Sequence, residues 1–303
     1  MKVLFIIGNG FDLSHGLHTC YNDFKEYLYE TDSVLYDLLK NKMSDFLWSN
    51  FEEDLGYLDF SDEISYYYRE IEDGFDSYSA VNNMVVTLYE CRKIMESMNY
   101  FVKKWIKTID TSKAIKRKRF FDLIKNNECY FLSFNYTDTL EKKYNIRRVC
   151  HIHGNLKGKL ILGHGEKYIH TKECNIKDYT DNYATFSELI EMQNNIDFIH
   201  NILKKDVYSL LKKNRKFFEQ LKDVEQVYSY GFSYGKVDLP YIKEIINNIS
   251  NNKNSKWFFY DYNIDENKKY KNLVKSCGFN GQYDSFHCLK ASVKYFTLAF
   301  YIR

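Results

Sequence analysis

The chain has 303 residues, 45% of them hydrophobic, which is enough for one large domain or two small ones with a sizeable core. Lys and Arg total 43 against 41 Asp and Glu, a net charge of +2, which argues against nucleic acid as the main partner. No run approaches the roughly 18 apolar residues of a membrane span, and seven scattered Cys without a C-x-x-C argue against a disulfide framework or a zinc ribbon, so reduced thiols in a cytoplasm are expected.

Short apolar runs bounded by turn residues read as buried strands, in chain order Val3–Ile7, Cys129–Phe134, Arg148–Ile152, Leu160–Leu162, Val227–Tyr230 and Trp257–Tyr260. Helical patterns lie between several of them. The expected class is therefore α/β, a Rossmann-like, mostly parallel sheet covered on both faces. Its core is read as 1–30, 126–165 and 223–303, all within one unit. Two segments interrupt the alternation, 31–125 and 166–222. In the first, Leu35, Leu38, Leu39, Met43, Phe46, Leu47 and Phe51 recur at helical spacing, as do Leu88, Cys91, Met95, Met98, Val102, Trp105 and Ile109. In the second, Ile199, Leu203, Val207, Leu210, Phe218 and Leu221 share one helical face. Both read as helical insertions, candidates for a cover over the site, a homo-oligomer interface or a partner surface. The basic run Lys113–Arg119 reads as a solvated helix face.

The first strand runs into Gly8-Asn9-Gly10-Phe11-Asp12-Leu13-Ser14-His15-Gly16. Gly8 and Gly10 allow a tight turn and close approach of a ligand, where an open α/β sheet binds pyrophosphate. Leu13 stands where G-x-G-x-x-G needs its third glycine, and no Gly-Lys-Ser/Thr follows. Asp12 beside phosphates would be repulsive; a ribose hydroxyl or its own loop are the other partners open to it. The second strand ends in Asn135-Tyr136-Thr137-Asp138, with Asn135 at the ligand end and Thr137 open to a helix-capping reading. In Cys150-His151-Ile152-His153-Gly154, alternation puts both His side chains on one side, and a His before Gly suits proton transfer. His151, His153, His164 and Glu166 also allow a metal reading, against which no clustered carboxylate motif follows the first strand. Finally Gly231 and Ser233 follow the strand Val227–Tyr230, with Asp238 a helix N-cap and Pro240 in the first helical turn.

The opening GNGFDLSHGLHTCYNDF resembles the start of the bacteriophage abortive infection AbiH family, and the resemblance runs the length of the chain. More distantly, Gly8, Gly10 and Gly16, then Asn135, then His153-Gly154, then Gly231-Phe232-Ser233 are similar in order and spacing to the sirtuin NAD-binding core. That resemblance implies an antiphage protein that hydrolyses NAD, its substrate, to nicotinamide and ADP-ribose. It implies phosphates held by the Gly8–Gly10 backbone and Ser233, a ribose or water oriented by Asn135, and His153 as general base. Asn9, Phe11, Asp12, Gly16, Thr137, Asp138 and Gly231 complete the expected nucleotide contacts. Thr137 stands where sirtuins carry an Asp, a role open to Asp138. The four-Cys zinc module of deacetylase sirtuins is missing, so no zinc is expected. The alternatives are a non-catalytic NAD or nucleotide sensor, a metal-dependent phosphoesterase or nuclease, and an ADP-ribosyltransferase. A phage-derived trigger is an expected partner.

Overall fold

The computed structural model describes residues 1–43, 48–165, 186–261 and 263–288. The strands are β1 (Lys2–Ile7), β2 (Glu128–Ser133), β3 (Cys150–His151), β4 (Gln226–Tyr230), β5 (Lys256–Tyr260) and β6 (Gln282–Phe286). They form one sheet in the order β3-β2-β1-β4-β5-β6, and every neighbouring pair is parallel. This is the Rossmann order, which runs outwards from β1 in both directions and places a crevice between β1 and β4 at their carboxyl ends.

The apolar run of β1 forms a central strand because both of its faces are buried. Val3, Phe5 and Ile7 enter one core with Phe120, Phe131 and Tyr228, while Leu4 and Ile6 enter the opposite core with Leu132, Val227 and Trp257. Phe5 stacks on Phe131 and Tyr228 with ring centroids 5.3 and 5.2 Å away. Many of the aromatics thus serve packing.

The helices up to β2 are α1 (Asn9–Ser14), α2 (Tyr21–Thr31), α3 (Ser33–Lys42), α4 (Phe51–Asp54), α5 (Ser61–Glu72), α6 (Ser77–Glu96), α7 (Met98–Thr108) and α8 (Lys118–Lys125). After β2 come α9 (Thr139–Tyr144), α10 (Phe186–Ile202), α11 (Val207–Lys213), α12 (Arg215–Glu219), α13 (Leu239–Asn248) and α14 (Ile264–Ser276). The long α6 packs on α5 and α10. A third core joins α2 through α7 with α10, and it meets the sheet end through Tyr136, Leu160 and Leu162. The inserted helices thus form a layer near the carboxyl ends of the strands. Phe46 and Leu47, and the segment 166–185, lie outside the described residues. No described helix is long and apolar enough to cross a membrane.

Two expectations change, and one strand has no apolar run to announce it. Leu160–Leu162 is not a strand: Leu160 and Leu162 are buried in the helical core, and Tyr136 fixes the segment by donating to the Ile161 carbonyl (2.9 Å). β3 is only two residues long because a turn follows it, in which the Gly154 N–H donates to His151 O (3.0 Å). β6 carries no apolar run; it is a half-exposed edge strand that hydrogen bonds only to β5.

The β1 and β4 turns touch through backbone alone. Gly8 N–H donates to Tyr230 O (3.1 Å) and Gly10 N–H to Gly231 O (2.9 Å). A Cβ on Gly231, whose φ is +67°, would lie 2.3 Å from Gly10 C and Phe11 N. Gly231→Ala is therefore expected to lose roughly 2–4 kcal/mol in urea unfolding, whereas Gly235→Ala, which meets nothing within 4 Å, stays within about 0.5 kcal/mol of the parent.

Candidate functional site

At the reversal of strand order lies a cleft of about 340 Å³, within the range of small-molecule sites. Its sheet-side wall is Gly8, Asn9, Gly10, Asp12, Asn135, Thr137, His153, Gly231 and Ser233. Its opposite wall is supplied by the helical layer, through Tyr21, Glu52, Trp105 and Ile106, together with His164 from the segment after β3.

The first polar group is built on Asp12, one turn into α1 and 1% exposed. Its Oδ2 accepts from Asn135 Nδ2 (3.0 Å) and Thr137 Oγ1 (2.5 Å), while Oδ1 has no hydrogen-bond partner. Burial pushes the Asp12 carboxyl up from 3.8 to about 6, against the hydrogen bonds from Thr137, Thr139 and Asn135 and the charge of His151. His151 supports Asn135 from behind. Its Nδ1 donates to Asn135 O (3.0 Å) and its Nε2 to Glu141 Oε1 (2.8 Å). Both partners are acceptors, so the ring carries both protons. Burial pushes His151 down, but the bonds to Glu141 and Asn135 outweigh it and hold the ring above its ordinary value.

The second group centres on Lys205, whose side chain is fully enclosed. A backbone bridge sets it: His164 N–H donates to Leu203 O (2.9 Å) and Lys205 N–H to His164 O (2.8 Å). The ammonium pairs with Glu52 Oε2, lies 3.9 Å from Asp238 Oδ1 and faces His153 Nδ1 at 3.5 Å. Tyr21 donates to the other Glu52 oxygen (2.5 Å). His153 Nε2 stands 3.3 Å from Asp238 Oδ1. An ammonium has no lone pair, so Nδ1 must be the acceptor and Nε2 carries the proton. Burial pushes Asp238 up, yet Lys205 and His153 outweigh it and hold the carboxyl below its ordinary value. Burial likewise depresses Lys205, and Glu52 and Asp238 more than restore it, leaving it raised.

The structure brings Gly8, Asn9, Gly10, Asp12, Asn135, Thr137, His153, Gly231 and Ser233 to the cleft. It places three predicted contacts elsewhere. Phe11 is buried in the aromatic core beside Phe120 and Tyr230. Gly16 follows α1 and packs against Ile115. Asp138 accepts from Thr111 (2.6 Å) and pairs with Lys142 (3.1 Å) on α9. Other readings also change. The N–H groups of Gly8 and Gly10 are bonded to the β4 turn rather than turned to a phosphate. Thr137 binds Asp12 instead of capping α9. Asp238 occupies the N-cap position of α13, with Pro240 in the first turn as expected, but its side chain makes no cap bond and turns to His153 and Lys205. His151 and His153 do not share a side, because the turn at Gly154 ends the alternation. Among the described residues no three His, Cys, Asp or Glu side chains gather as a metal set, and Glu166 lies outside those residues.

Glu52 and Lys205 have no local sequence signal, since Phe51-Glu52-Glu53-Asp54 and Lys204-Lys205-Asp206 read as solvated charge. His15 was legible only as part of the opening motif. Burial pushes it down to about 4, its Nδ1 donates to Phe11 O and its Nε2 accepts from Tyr144 (both 2.6 Å), so it fastens α1 to α9.

The fold and site define a doubly wound α/β protein with a polar, ligand-sized cleft at its topological switch point. Residues 4–261 match the family model of AbiH, bacteriophage abortive infection, which is most of the chain; the protein belongs to the AbiH family, and with it comes a role in phage abortive infection. No curated protein and no solved structure matches the chain.

Two stability outcomes follow from the buried charges. Folded Asp12 keeps its proton to about pH 6, while the unfolded chain releases it near 3.8. Through that window the native state binds more protons, so this group lowers stability as pH rises. Asp12→Asn is expected to be more stable than the parent at pH 7, by of the order of 2–3 kcal/mol, with the difference vanishing near pH 4 in parallel urea titrations. Lys205→Met leaves two carboxylates enclosed without their cation and is expected to lose about 3–5 kcal/mol by the same measurement at pH 7.

Proposed function

We propose that the protein binds NAD or a related nucleotide in the switch-point cleft and hydrolyses it to nicotinamide and ADP-ribose, halting growth of the infected cell. The observation that carries the reading is convergence. Four segments far apart in sequence, around Gly8, Asn135, His153 and Gly231–Ser233, meet at one cleft in the sheet order that binds dinucleotides. Their order along the chain is also that of the sirtuin NAD-binding core.

The chemistry asks little of the protein beyond orientation and charge. The C1′–nitrogen bond breaks and its electron pair leaves with nicotinamide. Water bonds to C1′ and releases its proton. Positive charge develops on the ribose between, and Glu52 and Asp238, two carboxylates around one ammonium, give the wall an excess of negative charge to stabilise it. Asn135 orients the ribose or the water, and Ser233, exposed at the rim, meets the phosphates. A general-base role for His153 requires a lone pair turned to the ligand, and its Nδ1 lone pair faces Lys205. The action of a phage trigger on the helical layer, moving Lys205, would free it. The same contact favours a second reading, in which the protein senses the nucleotide without turnover.

Purified protein incubated with NAD, with and without chelator, separates the readings by nicotinamide chromatography and calorimetry. Hydrolysis predicts release that survives chelator and falls roughly 100-fold in Asn135→Ala. Sensing predicts binding without release. Neither binding nor release would sink both.

A further inference from the structure

Asn135 has a fixed polarity. Its Nδ2 donates to Gly8 O (3.1 Å) and to Asp12 Oδ2 (3.0 Å). Gly8 O is a carbonyl and Asp12 a carboxylate that already accepts from Thr137, so both neighbours accept and the amide nitrogen must be the atom between them. Both N–H bonds are used. The remaining atom, Oδ1, meets no protein donor and is not sealed from solvent. Asn135 lines the cleft, so this oxygen is what it offers to a ligand.

We propose that Asp12 is a positioning residue which, with the Gly8 carbonyl, locks the Asn135 carboxamide with Oδ1 towards the cleft, so that the site takes a hydroxyl or a water as donor at this point and rejects a phosphate oxygen. The inference rests on the nucleotide reading for the identity of that donor, a hydroxyl of the ribose carrying nicotinamide or the attacking water. It accounts for a carboxylate beside a site of polyanionic ligands: Asp12 faces Asn135, Thr137, Thr139 and the charged His151, with its own Oδ2 turned to the amide. A phosphate, with acceptors only, would meet the Asn135 oxygen as a like dipole and sits instead towards Ser233. The cost to stability of ionised Asp12 is the kind of burden that functional sites carry.

The role differs from proton transfer in what Asp12→Asn does. An amide oxygen can still accept from Asn135 and Thr137, whereas Asp12→Ala removes the acceptor. The Asn135 side-chain NH2 is read directly in protein labelled with [15N]asparagine, with Asn135→Asp identifying its signals. The lock predicts a resolved, slowly exchanging pair in the parent and in Asp12→Asn, merged and fast-exchanging in Asp12→Ala. For affinity, the probes are NAD and NAD analogues lacking one hydroxyl of the nicotinamide ribose. Asp12→Ala is expected to weaken NAD about 10-fold, Asp12→Asn to restore most of the loss, and Asp12→Ala with Asn135→Ala to be no weaker than Asn135→Ala alone. The parent should prefer NAD over one of the analogues by about 10-fold, and Asn135→Ala should bind them alike. Additive losses, or amide signals identical in all three proteins, overturn the proposal. An Asp12→Asn protein as weak as Asp12→Ala shows that the carboxylate's charge, not its acceptance from Asn135, sets the affinity, and overturns it too. If the parent does not bind NAD at all, the nucleotide reading falls and the amide signals alone decide the lock.

Discussion

The Lys205 ammonium, closed off from solvent between Glu52 and Asp238, is the interaction on which the arrangement of the site depends. Each of its partners arrives on a different segment: Glu52 on α4 in the first insertion, Asp238 at the start of α13 behind β4, and His153 after β3. A buried ion pair of this kind contributes little net stability, because desolvating the charges offsets most of their attraction. What it supplies is geometry. Any displacement of the helical layer from the sheet would leave a charge unpaired in a medium that solvates it poorly, so the two walls of the cleft have one favourable relative position. The same ammonium sets the His153 tautomer, and through it the charge pattern facing the cleft.

Against this cluster stands the smaller one at Asp12, which differs in sign and purpose. Around Lys205 one ammonium is paired with two carboxylates, so the buried cation is compensated and a negative charge is left over. At Asp12 the carboxylate has hydrogen bonds but no adjacent cation in contact, and burial leaves it poised near neutrality. Its Oδ2 accepts from Asn135 and Thr137, just past the end of β2, so α1 and the β2–α9 loop are joined by a group that burial favours uncharged. Thr137 and Asn135 hold Asp12 as much as it holds them; His151, anchored by Glu141, fixes the backbone that carries both.

How much of this was legible follows from how local each signal is. β1, β2, β4 and β5 are short apolar runs between turn residues, and a central parallel strand needs only that, so periodicity found them. β6 is an edge strand whose pairing, not its composition, makes it a strand. Leu160–Leu162 looks the same as a strand by composition and is instead packing under the helical layer. Gly8, Gly10 and Gly231 line the cleft, but the reason for each glycine is a contact between two turns more than 200 residues apart along the chain, which no local pattern records. His151 and His153 part because the alternation of a strand does not carry across the turn that follows β3. Lys205 and Glu52 were invisible, since a buried charge differs from a solvated one only in its distant partners.

The glycine contact and the lysine cluster constrain each other. Because Gly8, Gly10 and Gly231 let the β1 and β4 turns meet backbone to backbone, the switch point is closed at its base and the amides there are satisfied internally. The polar groups left to line the cleft are therefore mostly side chains: Asn135 and Ser233 at the strand ends, Asp238 at the start of α13 and Glu52 from the inserted layer, with Lys205 buried behind the two carboxylates. A site that reads its ligand through side chains fastened to an inserted helical layer changes whenever that layer moves. The insertions are therefore positioned to govern the cleft, because the charge network spans the junction between that layer and the sheet.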